Sequence, residues 1–252
     1  MNLDDVLIFD LETSGLIPKG CKWNENYNEF PYIVSIAWLF KGKEEYHIIK
    51  PTGYDIPEES TKVHGITTEQ ALAQGENFAD VITKFIQDSL NAGMICGHNI
   101  HFDTSIVKAN ILRYMGQNFF DGYKCEDALF KGKRIDTMTS SMKWVDARAI
   151  NGRLKFPNLT ELYHRCFPHT DFDAHNALAD VKAVQACLPK LLENGLIKLE
   201  LKTYEEKAQE SQNKAQETIF SDKVDTSITE SEKMDSRAKN EKLTEMLNQN
   251  DF

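Results

Sequence analysis

The first apolar run of the chain reads VLIFDLETSGL, residues 6–16, and the rest of the sequence is interpreted outward from it. A strand is predicted over residues 6–10; it ends at Asp10, and Glu12 follows two positions later. Because alternate strand residues point to the same side, both carboxylates can reach one cluster. Neither Lys nor Arg is near them in the sequence, and carboxylates beside a buried strand are costly without a positive charge. The pair therefore predicts either a cation site or two solvated acids at a strand end.

Two more acids occur far along the chain at the edges of apolar segments. Asp103 ends the segment GHNIHFD at a predicted helix start, where an acid is also typical of a helix N-cap. Asp180 lies in a predicted helix, and His175 precedes it by five residues. Taken singly, each is explained by a cap, a solvated helix face or a structural histidine. Together with Asp10 and Glu12 they suggest two hard cations and a base acting on a phosphodiester.

Length and charge limit the classes of function. A chain of 252 residues with 41% hydrophobic content can bury one sizeable core and have residues left over. The formal net charge of -10 argues against a protein that wraps duplex DNA through a broad basic surface. It does not argue against an enzyme that holds a few nucleotides at a cleft filled with cations.

The cysteines and the N-terminus predict a cytoplasmic protein. The five cysteines are an odd number without a CxxC pair, which is typical of reduced thiols. Acids stand near the N-terminus, where a signal peptide needs a basic region. No apolar run is long enough for a transmembrane helix, so no membrane association is expected.

Apolar spacing predicts an α/β fold. The predicted strands are residues 6–10, 33–39, 45–49, 94–96 and 134–136, and the predicted helices are residues 77–90, a helix entered through Asp103 or Thr104, and residues 159–166 and 176–193. This order predicts a mixed sheet with a leading antiparallel meander, then parallel strands, flanked by helices.

Composition divides the chain near residue 200. Residues 1–200 alternate apolar runs with loops and are expected to form one domain. Residues 201–252 are dominated by Glu, Lys, Gln, Asn and Ser, and they predict a flexible polar tail that cannot pack its own core.

The ordered motifs resemble a known family. FDLETSGL (residues 9–16), GHNIHFD (residues 97–103) and HNALADV (residues 175–181) follow the order D-x-E, H-N-x-x-F-D and H-x-A-x-x-D. This order, together with VHGIT at residues 63–67, resembles the DEDDh (DnaQ-like) 3′→5′ exonucleases, which have a ribonuclease H-like fold. The resemblance covers essentially residues 5–192, and the epsilon-type proofreading subunits of bacterial replicative polymerases are the most similar branch.

The resemblance implies roles for individual residues. Asp10, Glu12, Asp103 and Asp180 would bind two Mg²⁺ or Mn²⁺ ions, and His175 would take the proton of the attacking water. The residues that would contact the terminal nucleotide are Thr13, Ser14, Gly15, Leu16, His64, Ile66, Asn99 and Phe102. For each of these contacts, ordinary loop or core packing is the alternative.

Three further segments suggest interactions. Residues 17–32 and 121–134 carry aromatic or basic side chains and are interpreted as guides for a single strand or, alternatively, as solvated loops. In the tail, QETIF resembles the peptide by which bacterial replication proteins bind the sliding clamp, with Gln216, Ile219 and Phe220 as its anchors. A polymerase catalytic subunit would then be a second partner.

The sequence therefore predicts a metal-dependent 3′→5′ exonuclease that releases nucleoside 5′-monophosphates from single-stranded or frayed 3′ ends. DNA proofreading or repair is the favoured role. One alternative is an RNA 3′-end exonuclease similar to oligoribonuclease, since recognition of the 2′-hydroxyl depends on the shape of the site. The other is a non-catalytic adaptor that bridges clamp and polymerase.

Overall fold

A computed structural model describes residues 3–129 and 134–199 of the chain. Within these residues the strands are β1 (Val6–Thr13), β2 (Ile33–Phe40), β3 (Lys43–Ile48), β4 (Met94–Gly97) and β5 (Arg134–Asp136). They form one sheet in the order β3-β2-β1-β4-β5. The β1–β2 and β2–β3 pairs are antiparallel, whereas β1–β4 and β4–β5 are parallel. The predicted meander followed by parallel strands is confirmed.

Helices surround this sheet. The α-helices in the described residues are α1 (Glu58–His64), α2 (Thr68–Gln74), α3 (Phe78–Asn91), α4 (Ile100–Gly122), α5 (Cys125–Ala128), α6 (Thr137–Val145), α7 (Leu159–Cys166) and α8 (Ala177–Glu193). The predicted cap of α7 is present as a full capping box, because Asn158 and Glu161 each accept the other's backbone N–H. This reciprocal pair fixes where α7 begins.

The alternation of β1 divides the apolar core between the two faces of the sheet. Leu7, Phe9 and Leu11 pack on one face against α3 and α4. Val6 and Ile8 pack on the other face against α8, whose predicted apolar positions Ala177, Val181, Val184 and Leu188 are all buried. Asp10 and Glu12 continue the second face, so the acidic pair extends from the same side of β1 that α8 covers.

Several predicted boundaries are wrong. The strand predicted to end at Asp10 continues to Thr13, because pairing with β2 carries it through Glu12. The helix predicted to begin at Asp103 or Thr104 begins three residues earlier, at Ile100, so Asp103 lies in its first turn instead of capping it. The sequence also failed to predict α1, α2, α5 and α6.

Some predictions lie outside the described residues. They concern the tail over residues 201–252, with Gln216, Ile219 and Phe220, and part of the loop at residues 121–134, of which residues 130–133 are not described. In the described part of the chain, no helix has the length and apolar character needed to cross a bilayer.

Candidate active site

The acidic motifs meet at one edge of the sheet. Because β1, β4 and β5 run parallel, their carboxyl ends lie side by side. β1 brings Asp10 and Glu12 to this edge, and the turn after β4 leads into α4 and Asp103. α8 packs against β1 and β2 and supplies Asp180, the residue before the buried Val181. Three segments far apart in sequence thus bring four acids to one place.

Three of the four acids form a compact cluster. Carboxylate oxygens of Asp10, Glu12 and Asp180 all lie within 4.8 Å of one another. Asp103 is outside this group of three, but it is only 4% exposed, and its charge acts on Asp10. The arrangement consists of three carboxylates around one point, with a fourth beside Asp10.

Crowding and burial change the acidity of this cluster. Burial raises the pKa of Asp10 well above its usual value, and the charges of Asp103, Asp180 and Glu12 raise it further. Burial also raises the pKa of Asp103, although a hydrogen bond from its own backbone opposes this effect. The pKa of Glu12 is raised to about 7, chiefly by burial and then by Asp180. Burial raises the pKa of Asp180 to about 7 as well, against a hydrogen bond from the His175 backbone.

The cluster fits a divalent cation. Hard cations such as Mg²⁺ and Mn²⁺ prefer carboxylate oxygens, and this donor set contains nothing else. The charges that raise the pKa of Asp10 are all carboxylates, so they repel one another instead of pairing. A bound cation would reverse this repulsion and favour the ionised form of each acid. The described residues therefore supply the ligands for at least one divalent ion.

The raised pKa values predict that the metal-free protein loses stability as pH rises. A folded state with a raised carboxyl pKa binds more protons than the unfolded chain, so its stability falls between about pH 4 and the folded value of about 7. For Glu12, a shift from 4.5 to about 7 corresponds to about 3 kcal/mol, or roughly 5–10 °C in Tm. Glu12→Gln is therefore expected to raise the Tm at pH 7.5 in chelator, measured by differential scanning calorimetry.

The comparison of Glu12→Gln with the wild type isolates this effect from other titrating groups. Burial lowers the pKa of both His64 and His98, which makes stability rise with pH in both proteins alike. The gain from Glu12→Gln should shrink towards pH 5 and disappear when Mn²⁺ stabilises the wild type. A variant less stable than the wild type at pH 7.5 in chelator would contradict the raised pKa of Glu12.

His175 stands on the loop before α8, as predicted. Its φ of 69° is in the left-handed region, and its side chain is exposed. Its backbone N–H donates a hydrogen bond to the carboxylate of Asp180. The loop conformation is thus tied to the acidic cluster through the main chain, and the imidazole is accessible to solvent.

The turn after β1 holds the first set of predicted substrate contacts. Ser14 is fixed to Tyr32 by two hydrogen bonds, from its backbone N–H to the Tyr32 carbonyl (2.9 Å) and from the Tyr32 N–H to its Oγ (2.8 Å). Thr13 Oγ1 donates to the carbonyl of Gly15 at 2.8 Å. The Leu16 side chain is 83% exposed. A rigid turn therefore presents a large apolar side chain to solvent next to the carboxylates.

His64 and Ile66 lie in the connection from α1 to α2. The Ile66 backbone N–H donates to His64 Nδ1 at 3.1 Å, and burial lowers the pKa of this imidazole. A neutral imidazole that accepts at Nδ1 carries its proton on Nε2. Nε2 is buried without a hydrogen-bond partner among the described residues, so His64 offers an unused donor. Ile66 is 5% exposed and packs in the small cluster with Val34.

Asn99 and Phe102 flank the start of α4. Asp136, at the end of β5, contacts the same place and was not predicted from the sequence. Asn99 is held in the left-handed region at φ 69°, and its backbone N–H donates to Asp136 Oδ1 at 3.1 Å. The same oxygen accepts the N–H of Met138 at 3.0 Å and so caps α6. Phe102 is partly buried against the core. An acid at the carboxyl end of a predicted strand, beside a second parallel strand, was the signal that could have identified Asp136.

The loop at residues 17–32 packs against α4. Trp23 stacks on Phe120 with 5.5 Å between ring centroids, and the Lys108 ammonium lies 4.8 Å from the Trp23 ring. Arg113 donates to the Tyr27 carbonyl at 2.7 Å. The aromatic residues of this loop thus make contacts within the protein. This favours the predicted alternative of a surface loop over a guide for a single strand.

Comparisons with known proteins agree on the family and on the fold. The sequence profile of the RNase T exonuclease family matches residues 7–188. DNA polymerase III subunit epsilon of Buchnera aphidicola subsp. Baizongia pistaciae (strain Bp) is 30% identical over 105 residues, which are 41% of this chain and 42% of that protein.

Two exonuclease I structures are similar in fold. Exonuclease I of E. coli, in complex with a dA16 oligonucleotide, superposes with a TM-score of 0.54 at 23% identity, over 75% of this chain and 40% of that one. Exonuclease I of Methylocaldum szegediense gives 0.55 at 21% identity, over 77% of this chain and 41% of that one. The chain spans less than half the length of these relatives. The predicted ribonuclease H-like fold is confirmed.

Proposed function

Because the chain belongs to the RNase T exonuclease family, we propose that it is a metal-dependent 3′→5′ exonuclease acting on DNA. It would release nucleoside 5′-monophosphates from single-stranded or frayed 3′ ends, in proofreading or repair. The observation that carries this proposal is the cluster of Asp10, Glu12 and Asp180 oxygens within 4.8 Å. Similarity to a polymerase epsilon subunit supports DNA as the substrate.

The four acids would form two overlapping sets of metal ligands. Asp10, Glu12 and Asp180 would hold one Mg²⁺ or Mn²⁺ ion, and Asp103 would join Asp10 in holding a second. Two such ions supply a nucleophile from water and stabilise the leaving oxygen of a phosphodiester. The partial exposure of Asp10 and Asp180 keeps the cluster open on the side from which a 3′ end would arrive.

The remaining motif residues have roles in proton transfer and in holding the terminal nucleotide. His175, exposed and tied to Asp180 by its backbone, would accept the proton of the attacking water. Leu16, on the rigid turn held by Ser14 and Tyr32, would pack against a base. The His64 Nε2–H would donate to an oxygen of the nucleotide.

Hydrolysis of a labelled oligonucleotide tests the proposal. Single-stranded DNA carrying a 5′ label should shorten stepwise from its 3′ end with Mn²⁺ or Mg²⁺, release nucleoside 5′-monophosphates, and persist in chelator. A matched RNA strand should be degraded more slowly, and faster degradation of RNA would favour the oligoribonuclease alternative. Release of 3′-monophosphates, or full activity in chelator, would contradict the proposed chemistry.

The adaptor alternative conflicts with the loss of folding stability that the buried acids cause. Four partly or fully buried acids with raised pKa values destabilise a protein that does not use them. An adaptor that no longer needed these side chains would gain stability by replacing them. A complete acidic set therefore supports catalysis over a vestigial site.

His64→Asn tests the predicted contact with the terminal nucleotide. Asn retains an acceptor for the Ile66 N–H and deletes only the unused Nε2 donor. Loss of one substrate hydrogen bond is expected to raise KM about fivefold to tenfold with little change in kcat. Steady-state kinetics on a short oligonucleotide measure both constants. Lys62→Asn, an exposed change in the same helix, is the control, and equal KM values for both variants would refute the contact.

The tail proposal concerns partners. We retain the boundary near residue 200 and the prediction that Gln216, Ile219 and Phe220 bind a sliding clamp, with a polymerase catalytic subunit as a further partner. Binding of the full chain to purified clamp should fall when Gln216 and Phe220 are both changed to Ala. Undiminished binding would show that the QETIF peptide does not bind the clamp.

A further inference from the structure

A basic hairpin connects α6 to α7. Its residues, 146–156, read DARAINGRLKF and contain three basic side chains and one acid in a chain of net charge -10. Backbone hydrogen bonds join Ala149 to Arg153 (2.9 Å) and Lys155 to Ala147 (2.9 Å), and Gly152 closes the turn at φ +75°. The segment is therefore a hydrogen-bonded hairpin with one antiparallel bridge, between Arg148 and Leu154.

The base of this hairpin adjoins the candidate active site. The Pro157 carbonyl, directly after the hairpin, lies 3.0 Å from His98 Nε2, which must be the donor because a carbonyl only accepts. His98 stands between Gly97, the last residue of β4, and Asn99, which caps α4. Lys155 is two residues from Pro157, at most about 7 Å of extended chain. The hydrogen bond to His98 therefore holds Phe156 near the carboxyl end of β4, the end from which α4 leads to Asp103.

The hairpin exposes apolar groups among its charges. Phe156 is 52% exposed, and Ile150 at the tip is fully exposed. Arg153 is also exposed. Arg148 pairs with Asp146 across the surface, and such exposed pairs contribute little and exchange easily for another anion. An exposed aromatic ring among cations is the composition that binds single-stranded nucleic acid, by stacking on bases and attraction to phosphates.

The other two segments with suitable side chains are less available. Trp23 and Lys108 pack against each other, and Lys108 pairs with Glu126 at 2.6 Å. Arg134 donates to the Leu129 carbonyl at 3.0 Å. By contrast, Phe156 and Arg153 are both exposed to solvent. Lys155 pairs with Glu161 at 2.7 Å, so Arg148 and Arg153 are the hairpin cations open to the phosphates of a strand that leads into the carboxylates.

We propose that the basic hairpin binds the single strand upstream of the 3′ end, with Phe156 stacking on a base and Arg148 and Arg153 contacting phosphates. The proposal rests on the proposed exonuclease function, because it takes its direction from a 3′ end held at the acidic cluster. It assigns to residues 146–156 the guiding role that the sequence suggested for the loops at residues 17–32 and 121–134. The hairpin would act on substrate affinity and leave the chemical step unchanged.

Two substrates of different length test this assignment. An oligothymidylate of about 12 nucleotides spans a typical single-strand site, whereas the p-nitrophenyl ester of thymidine 5′-monophosphate has no upstream strand. Phe156→Ala should raise KM for the oligonucleotide roughly tenfold and leave kcat and the minimal substrate unchanged. Arg148→Ala/Arg153→Ala should lower the slope of log affinity against log salt by about 1.4, or about 0.7 for each phosphate contact.

Controls separate a local effect from a general one. Lys190→Ala/Lys198→Ala removes one partly exposed and one exposed cation near the carboxyl end of α8 and should change neither KM nor the salt slope. The Tm of each variant, and its hydrolysis of the minimal substrate, report whether the fold is intact. An unchanged KM for the oligonucleotide in Phe156→Ala would overturn the proposal. An unchanged salt slope in the double variant would overturn it as well.

Binding without turnover distinguishes failure of this proposal from failure of the proposed function. Fluorescence anisotropy of a labelled oligothymidylate in chelator measures affinity independently of hydrolysis. If the wild type hydrolyses neither substrate but the hairpin variants still weaken binding, the exonuclease function fails and the hairpin surface stands. If the wild type hydrolyses both substrates and the hairpin variants bind the oligothymidylate as tightly as the wild type does, the exonuclease function stands and the hairpin surface fails.

Discussion

Asp10→Asn is expected to lower the exonuclease rate by at least about 10³-fold, because binding and orienting the cations is worth several kcal/mol of barrier. Asp10 is the acid that all the others surround, since Asp103, Asp180 and Glu12 each raise its pKa. It is also the residue shared by both proposed ion sites. Asn has the same shape but a neutral oxygen, so the loss reflects charge and cation binding.

The same substitution should not unfold the protein. Removing one of four crowded carboxylates relieves repulsion, so the Tm of Asp10→Asn in chelator should equal or exceed that of the wild type. Added Mn²⁺ should raise the Tm of the wild type and barely affect the variant. Asp80→Asn, an exposed change on α3, provides the matched control and should retain full activity. Wild-type turnover by Asp10→Asn on labelled single-stranded DNA would remove Asp10 from the site.

The sequence located the acids but not their spatial grouping. The spacing of Asp10 and Glu12 predicted that both face one side, and the alternation of β1 places them beside α8 as expected. Which acids lie closest depends on how α4 and α8 pack, and no periodicity carries that information. The sequence therefore could not predict that Asp180, and not Asp103, lies closest to Asp10 and Glu12.

The start of α4 illustrates the limit for secondary structure. Local rules pointed to Asp103 as a cap, yet the chain turns at Asn99, whose left-handed backbone is stabilised by a hydrogen bond to Asp136, 37 residues away. Similarly, α1 buries none of its residues and α2 buries only Ala71, so neither has the apolar spacing that predicts a helix. By contrast, α3 and α8 bury a full face and were predicted within a residue or two.

His175→Asn is expected to reduce kcat by roughly 10²- to 10⁴-fold, the usual contribution of a general base. Asn is the appropriate replacement because His175 has a φ of 69°, and Asn adopts the left-handed region more readily than Ala. The backbone hydrogen bond from residue 175 to Asp180 should therefore persist, and with it the position of that ligand. The variant therefore lacks the imidazole but should retain the backbone conformation of the loop.

Metal binding separates the role of His175 from that of the acids. Unlike Asp10→Asn, His175→Asn should show the wild-type rise in Tm with Mn²⁺, because the carboxylates that hold the ion are intact. His169→Asn is a closely matched control, since His169 is also exposed and has a φ of 67° on the same connection between α7 and α8. If His175→Asn loses activity and cation binding together, the histidine positions Asp180 and is not the base. If the variant turns over like His169→Asn, another group must accept the proton of the attacking water.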